Sequence, residues 1–316
     1  MTDGKGRKIE YLRLSVTDKC NLRCRYCMPE EGIRHLEHKD VLSFEELQTL
    51  TGILKELGIR KIRLTGGEPL VRKGVVSLVS MLPCDVYMTT NGCRLSEHAK
   101  ALREAGLLGV NISLDTLDRD TFMKLTGRDE LGLVLKGIDA AKEAGLSVKL
   151  NCVPIKGVNE SEIEALCAFA ERISVDIRFI ELMPIGCMHE LTGIPTDVII
   201  GRLGPVIAEP VGNAPDLTGP AQYYRMNGSE SRIGFISPMS HRFCDACNRI
   251  RLTADGYLKT CLQYASGVDL RRLLRNGADH TTIRSAIESA IKDKPAAHDF
   301  GSDTGSDTRR MVQIGG

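Results

Sequence analysis

Cys20-Asn-Leu-Arg-Cys24-Arg-Tyr-Cys27 places three thiols close together, directly after the alternating stretch Tyr11-Leu-Arg-Leu-Ser15. Thiolates at this spacing can wrap one face of a metal centre. A structural zinc takes four closed ligands, and the next histidines, His35 and His38, come well after Cys27. Three cysteines suit a [4Fe–4S] cube with one iron left open, since such clusters usually take four. Zinc with a distant fourth ligand, or plain buried cysteines, is the competing reading. A second set, Cys244-Asp-Ala-Cys247 with Cys261, reads either as a zinc ribbon completed by His241 or Cys187 or as another three-thiolate cluster. Beside it runs Asn248-Arg249-Ile250-Arg251. Two planar guanidinium forks there suit a phosphate, a carboxylate or a guanine edge, and a solvated strand face explains less.

The chain that must position these groups has 316 residues, 42 Lys+Arg against 41 Asp+Glu, and a net charge of +1. That balance gives no reason to expect nucleic acid or a membrane surface as partner, although a local basic cluster can still hold a phosphate. Aromatic residues are 4% with no tryptophan, which argues against a sugar platform or a base-stacking surface. The start carries no apolar leader, and no run approaches the ~18 apolar residues of a membrane helix. Eleven cysteines then point to a soluble, cytoplasmic protein whose thiols serve metal or redox chemistry. Cys84, Cys93, Cys152, Cys167 and Cys187 fall in no motif and read as small buried hydrophobes.

Strands are expected at Tyr11–Ser15, Lys61–Leu64, Asp85–Thr89, Val110–Leu114, Val148–Val153 and Asp176–Ile180. Helices are expected between them: one opened by a Ser43-Phe-Glu-Glu46 capping box and ended near Gly58, one after Arg72, then Ser96–Ala105, Leu131–Ala144 and Ser161–Arg172. Such alternation means a parallel sheet with crossover helices, open or curled into an incomplete barrel. After Met183-Pro184 the rhythm gives way to a stretch rich in proline and glycine. Short β-like pieces follow at Tyr223–Met226, Arg232–Ile236, Ile250–Thr253 and Tyr257–Thr260, then a helix at Thr282–Lys292. A boundary near residue 205 divides the chain into residues 1–205 and 206–316.

C-x₃-C-x₂-C with an aromatic before the last cysteine resembles the signature of the radical S-adenosylmethionine (SAM) superfamily. Thr65-Gly-Gly-Glu-Pro69 is similar to that superfamily's Gly-Gly-Glu turn, where glycines admit an amino-acid head group and Glu68 accepts its ammonium. Further blocks narrow the resemblance: Leu12-Arg-Leu-Ser-Val-Thr-Asp-Lys-Cys20, Thr89-Thr-Asn-Gly92, Asn111-Ile-Ser-Leu-Asp115, Glu181-Leu-Met-Pro184, Cys247-Asn-Arg-Ile-Arg-Leu-Thr253 and the terminal Ile314-Gly-Gly316. Spread along almost the whole chain, they resemble the GTP 3′,8-cyclase family of molybdenum cofactor biosynthesis. The resemblance implies an incomplete (β/α)6 TIM-like barrel with a C-terminal domain carrying a second iron–sulfur cluster. It implies two [4Fe–4S] clusters, held by Cys20, Cys24 and Cys27 and by Cys244, Cys247 and Cys261. Tyr26, Gly67, Glu68, Ser113 and Met183 would meet SAM. Arg13, Arg63, Thr89, Lys149, Arg249, Ile250 and Arg251 would meet GTP, whose triphosphate needs several converging cations. The implied reaction uses a 5′-deoxyadenosyl radical to take hydrogen from C3′ of GTP, and C3′ then bonds to C8 of the guanine. An electron donor of unknown identity and a downstream cyclic pyranopterin monophosphate synthase are the implied partners, for a monomer or homodimer.

Two rivals remain at this level. One is a radical SAM maturase acting on a peptide, against which the GTP-contact motifs and the Gly-Gly end speak. The other is a non-catalytic iron–sulfur electron carrier, which needs neither the Gly-Gly-Glu turn nor phosphate-binding arginines. Composition alone makes the tail Gly301–Gly316 read as frayed. The resemblance instead has Gly315 and Gly316 enter the barrel, where residues without a Cβ fit a narrow channel.

Overall fold

The computed structural model describes residues 1–29, 31–185, 191–211, 219–300 and 307–315. Its first part alternates as expected: β1 (Tyr11–Ser15), α1 (Phe44–Glu56), β2 (Lys61–Thr65), α2 (Val75–Met81), β3 (Asp85–Thr90), α3 (Leu95–Glu104) and β4 (Leu107–Ser113). Then come α4 (Arg119–Thr126), α5 (Leu131–Glu143), β5 (Ser147–Cys152), α6 (Ile163–Arg172) and β6 (Asp176–Ile180). At the head of α1, Ser43 Oγ accepts from the Glu46 amide at 3.1 Å while the Glu46 carboxylate accepts from the Ser43 amide at 2.7 Å. Two orphan donors are satisfied at once, which is why the helix starts there. The short α4 was not anticipated. It exists because the Asp118 carboxylate accepts from the Thr121 amide at 2.8 Å and because Phe122 and Leu125 find the core.

Strands β1 to β6 pair in sequence order, all parallel. The rest of the chain supplies α7 (Thr196–Leu203), β7 (Ile207–Pro210), β8 (Gln222–Met226), β9 (Arg232–Ile236), β10 (Arg249–Leu252), β11 (Tyr257–Lys259) and β12 (Gly267–Asp269). It ends with α8 (Leu270–Arg275), α9 (His280–Lys292) and α10 (Met311–Ile314). Strand β9 adds in parallel to β6 and β10 in parallel to β1, so both flanks of the first six strands are built by the later chain. Antiparallel strands complete a 12-stranded sheet in the order β12-β11-β10-β1-β2-β3-β4-β5-β6-β9-β8-β7. The sheet is curled: β1, β3, β4, β5, β6, β9 and β10 all send residues to one cavity.

Parallel strands covered on both faces usually read as continuous apolar runs. Here the pattern alternates. Leu12, Leu14, Ile62, Leu64, Ile112 and Leu150 are fully buried on the face that packs against the helices. The opposite face carries Tyr11, Arg13, Arg63, Lys149 and Arg178, because successive strand side chains point to opposite sides. Register gathers them: Arg13 lies beside Arg63 on β2 and beside Arg251 on β10, and Asn151 on β5 beside Arg178 on β6. This face of the strands is therefore polar and positively charged, while the strands' hydrophobic side chains pack in the sheet–helix layer.

Candidate active site

Cys20, Cys24 and Cys27 leave the C-terminal end of β1 in a loop whose amides turn back on it, Cys27 N donating to the Cys24 carbonyl at 2.9 Å. Cys244 and Cys247 flank a single 3-10 turn before β10, and Cys261 follows β11. All six are free thiols, half-buried, and all six border the same cavity of about 340 Å³. Cys93, Cys152 and Cys167 are instead buried in the core, as expected of small hydrophobes. Cys84 packs at its edge and donates to the Ile59 carbonyl at 3.3 Å. Cys187, offered above as a fourth zinc ligand, lies outside the described residues.

Burial pushes Cys20 up to about 11 and Cys24 well above the ordinary thiol value. Such thiols stay protonated until a metal takes the proton's place. Cys247 goes the other way: burial would raise it, but the Lys294 ammonium and Arg249 bring it below its usual range. Lys294 Nζ also donates to the Arg249 carbonyl at 3.0 Å and to the Thr260 carbonyl. Among the described residues no three His, Cys, Asp or Glu side chains are gathered as ligands of one ion. A cube asks something else of its protein, one thiolate for each of several iron corners, and two sets of three thiols on one cavity fit that donor chemistry.

The Gly-Gly-Glu turn is fixed by contact. A Cβ on Gly66 would stand 2.4 Å from the Thr17 carbonyl oxygen, and one on Gly67 would stand 2.3 Å from that of Lys19. Only glycine lets this strand end meet the cysteine loop so closely. Glu68 accepts from the amides of Leu70 at 3.0 Å and Asn91 at 2.7 Å and from the Thr90 hydroxyl at 2.8 Å. Burial still pushes it up to about 7. Tyr26 donates to Asp115 at 2.5 Å, tying the cysteine loop to the end of β4, and burial pushes Asp115 up to about 6.

Gly67, Glu68, Tyr26, Ser113 and Met183 all border the cavity, and so do Arg13, Thr89, Arg249 and Arg251. Thr89 Oγ1 is buried there with no hydrogen-bond partner, a polar atom left for a ligand. Three of the residues expected to meet GTP do not border it. Arg63 is buried deeper, donating to the Tyr11 hydroxyl and to the Met88 carbonyl. Lys149 pairs with Asp176 at 2.9 Å, which also holds Arg232 at 2.8 Å. The Ile250 side chain is fully buried on the helix side of β10, leaving only its backbone toward the site.

The tail enters the barrel. Val312 and Ile314 of α10 are 4% and 1% exposed, and the Gly315 carbonyl accepts from Arg251 at 2.8 Å. Gly316 lies outside the described residues. Sequence reading missed Arg178, whose second terminal nitrogen is buried without a partner, and Lys294. For Arg178 the signal was present: it is an arginine on the lumen face of the sixth strand. Lys294 had none, since it follows a helix that ends far from either cysteine set in sequence.

Residues 14–170 match the Radical SAM superfamily model, and residues 175–300 match Molybdenum Cofactor Synthesis C. The chain is 46% identical to the GTP 3′,8-cyclase of Peptoclostridium acidaminophilum, covering 100% of this chain and 98% of that one. It is 45% identical to the GTP 3′,8-cyclase of Pelotomaculum thermopropionicum, with both chains covered in full. This chain belongs to the GTP 3′,8-cyclase family. It is a radical SAM enzyme acting in the first step of molybdenum cofactor biosynthesis, with GTP as substrate and with SAM and an iron–sulfur cluster as its means. The fold is shared with Streptococcus suis SuiB solved with S-adenosylmethionine, at a TM-score of 0.62 and 14% identity over 90% of this chain and 68% of SuiB. That likeness is one of fold. The peptide-maturase and electron-carrier readings give way to the cyclase relatives. No helix among the described residues is long and apolar enough to cross a membrane.

Proposed function

We propose that the cavity holds two [4Fe–4S] clusters, one on Cys20, Cys24 and Cys27 and one on Cys244, Cys247 and Cys261, with SAM at the first and GTP between them. The observation that carries this reading is that both thiol sets border one cavity whose remaining wall includes Arg13, Arg249 and Arg251. When bound, the first cluster and SAM supply the 5′-deoxyadenosyl radical that takes hydrogen from C3′ of GTP. Everything else falls to the chain. The backbone at Tyr26 and Gly67 and the Glu68 carboxylate orient the SAM amino-acid group, and Ser113 and Met183 its ribose and adenine. Arg13, Arg63, Thr89, Arg249 and Arg251, with the Ile250 backbone, receive GTP. Arg178 joins them from β6. Lys149, steadied by Asp176, adds charge at the deep end of the lumen. Converging guanidiniums suit a triphosphate because each planar fork can grip two oxygens. The tail at Gly315, and Gly316 beyond it, shuts water out and supports the nucleotide through Arg251.

Residues 1–205 would then furnish the radical-forming half and 206–316 the substrate half. An unidentified reductant supplies electrons, and a cyclic pyranopterin monophosphate synthase consumes the product; the enzyme acts as a monomer or homodimer. Anaerobic reconstitution should give about eight irons and eight sulfides per chain. Incubation with SAM, GTP and dithionite should yield 5′-deoxyadenosine and the cyclised nucleotide by mass spectrometry. Cys24→Ala should abolish SAM cleavage, whereas Cys261→Ala should leave uncoupled cleavage and no cyclised product. Half the iron with one zinc, or normal cyclisation by Cys261→Ala, would overturn the role given to the second set.

A further inference from the structure

Tyr11 opens β1 on the lumen side, in register with Lys61 on β2 and Arg249 on β10, and is 9% exposed. Arg63 Nε donates to its hydroxyl oxygen, and the Arg249 guanidinium stands 5.6 Å from its ring centroid. Among the described residues the hydroxyl makes no other hydrogen bond. The charged or titratable groups that face it are Arg13 on its own strand, Lys61 and Arg63 on β2, Tyr87 on β3, Arg178 on β6, and Arg249 and Arg251 on β10. Among the described residues no carboxylate acts on it directly; Asp85 on β3 acts instead on Lys61 and Tyr87. A neutral phenol would aim its own hydrogen into this ring of cations, whereas a phenolate accepts from them.

We propose that Tyr11 is a stand-in for the substrate's phosphates: an anionic counter-ion of the lumen guanidiniums in the empty enzyme, which takes up one proton when a triphosphate arrives. The inference rests on the reading that GTP places its triphosphate among these guanidiniums. Its balance is simple, phenolate plus a solvent proton giving phenol, with no other reactant. Burial would raise the Tyr11 pKa, but the charges of Arg63, Arg13 and Arg249 and the Arg63 hydrogen bond bring it down to about 7. Above that pH the empty enzyme holds the phenolate, and an arriving triphosphate drives it back to phenol. GTP affinity should then fall with rising pH, approaching about tenfold per unit, by a component absent from Tyr11→Phe.

Calorimetry of the reconstituted enzyme with GTP near pH ~8, in two buffers of different ionisation enthalpy, counts the protons exchanged. Wild type should take up close to one proton more than Tyr11→Phe, a difference that cancels any proton released by the nucleotide itself. In wild type alone, GTP should also bleach the ultraviolet band of tyrosinate. Equal proton counts with GTP affinity retained, or a tyrosinate band that GTP leaves unchanged, would overturn the role of Tyr11 and leave the site reading standing. Arg249→Met binding GTP as tightly as wild type would overturn the site reading, and the inference with it.

Discussion

The Arg251 guanidinium donates to the Gly315 carbonyl at 2.8 Å, so an arginine of the cavity wall also holds the tail inside the barrel. Burial and the neighbouring Arg249 lower the Arg251 pKa only to about 10, and the group remains a cation at neutral pH. One side chain thus joins the proposed triphosphate contact to the ordering of α10.

Replacing that arginine should remove both contacts. Arg251→Ala should weaken GTP binding by ~1.5–3 kcal/mol, the scale of a charge-assisted hydrogen bond, while SAM binding persists. Calorimetry with each ligand separates the two. Unchanged GTP affinity would place Arg251 with the tail alone.

Gly315 is demanded by its surroundings. Its φ of +87° is left-handed, and a Cβ there would stand 2.6 Å from Thr65 Oγ1. Gly315→Ala should cost about 1–2 kcal/mol from backbone conformation alone, before the clash is counted. The tail should be driven out. Product chromatography should then find reductive SAM cleavage retained and the cyclised nucleotide strongly reduced; a fully active variant would show that insertion is dispensable.

Much of this arrangement was legible in the chain. The period-two pattern of Tyr11-Leu-Arg-Leu-Ser15 already separates a lumen face bearing Arg13 from a core face bearing Leu12 and Leu14, and the capping box places α1 to within a residue. Contacts between distant segments were not legible. Nothing local in Lys149 announces that Asp176 will occupy it, or in Lys294 that it will lie by Cys247. The tail shows the same limit. Its glycines and polar spacer favour fraying on composition, and only Thr65, Ser15 and Arg251, drawn from three other strands, make a buried berth for it.

Glu68 should give SAM binding a pH dependence of definite sign. Its folded-state pKa is raised to about 7 by burial, so below that pH it carries a proton and cannot pair with an ammonium. Binding must then release the proton, and apparent SAM affinity should rise by up to about tenfold per unit toward pH 7 and level off above it. Glu68→Gln should lower the affinity and flatten the profile, read by equilibrium binding of labelled SAM across pH. A profile equally steep in the variant would assign the titration to another group.

The tail has a second fastening, on the strand next to Arg251. Lys259 is fully buried on β11, where its ammonium donates to the Tyr264 carbonyl at 2.6 Å and pairs with the Asp307 carboxylate. The other Asp307 oxygen accepts from the Arg309 amide at 2.9 Å, turning the chain toward α10, and the Arg309 guanidinium rests 4.7 Å from the Tyr257 ring. Asp307→Asn strips the charge from this pair and leaves Lys259 buried without its counter-ion, a change that typically costs about 3–5 kcal/mol. That cost need not be borne by the whole protein, because releasing residues 307–315 lets water reach the ammonium. Hydrogen–deuterium exchange should therefore accelerate in α10 of Asp307→Asn while β1 to β6 keep their protection. Pairing that substitution with Lys259→Met removes the stranded charge and should restore much of the protection at α10. If α10 stays protected in the single variant, Arg251 and the burial of Val312 and Ile314 hold the tail without help from Asp307.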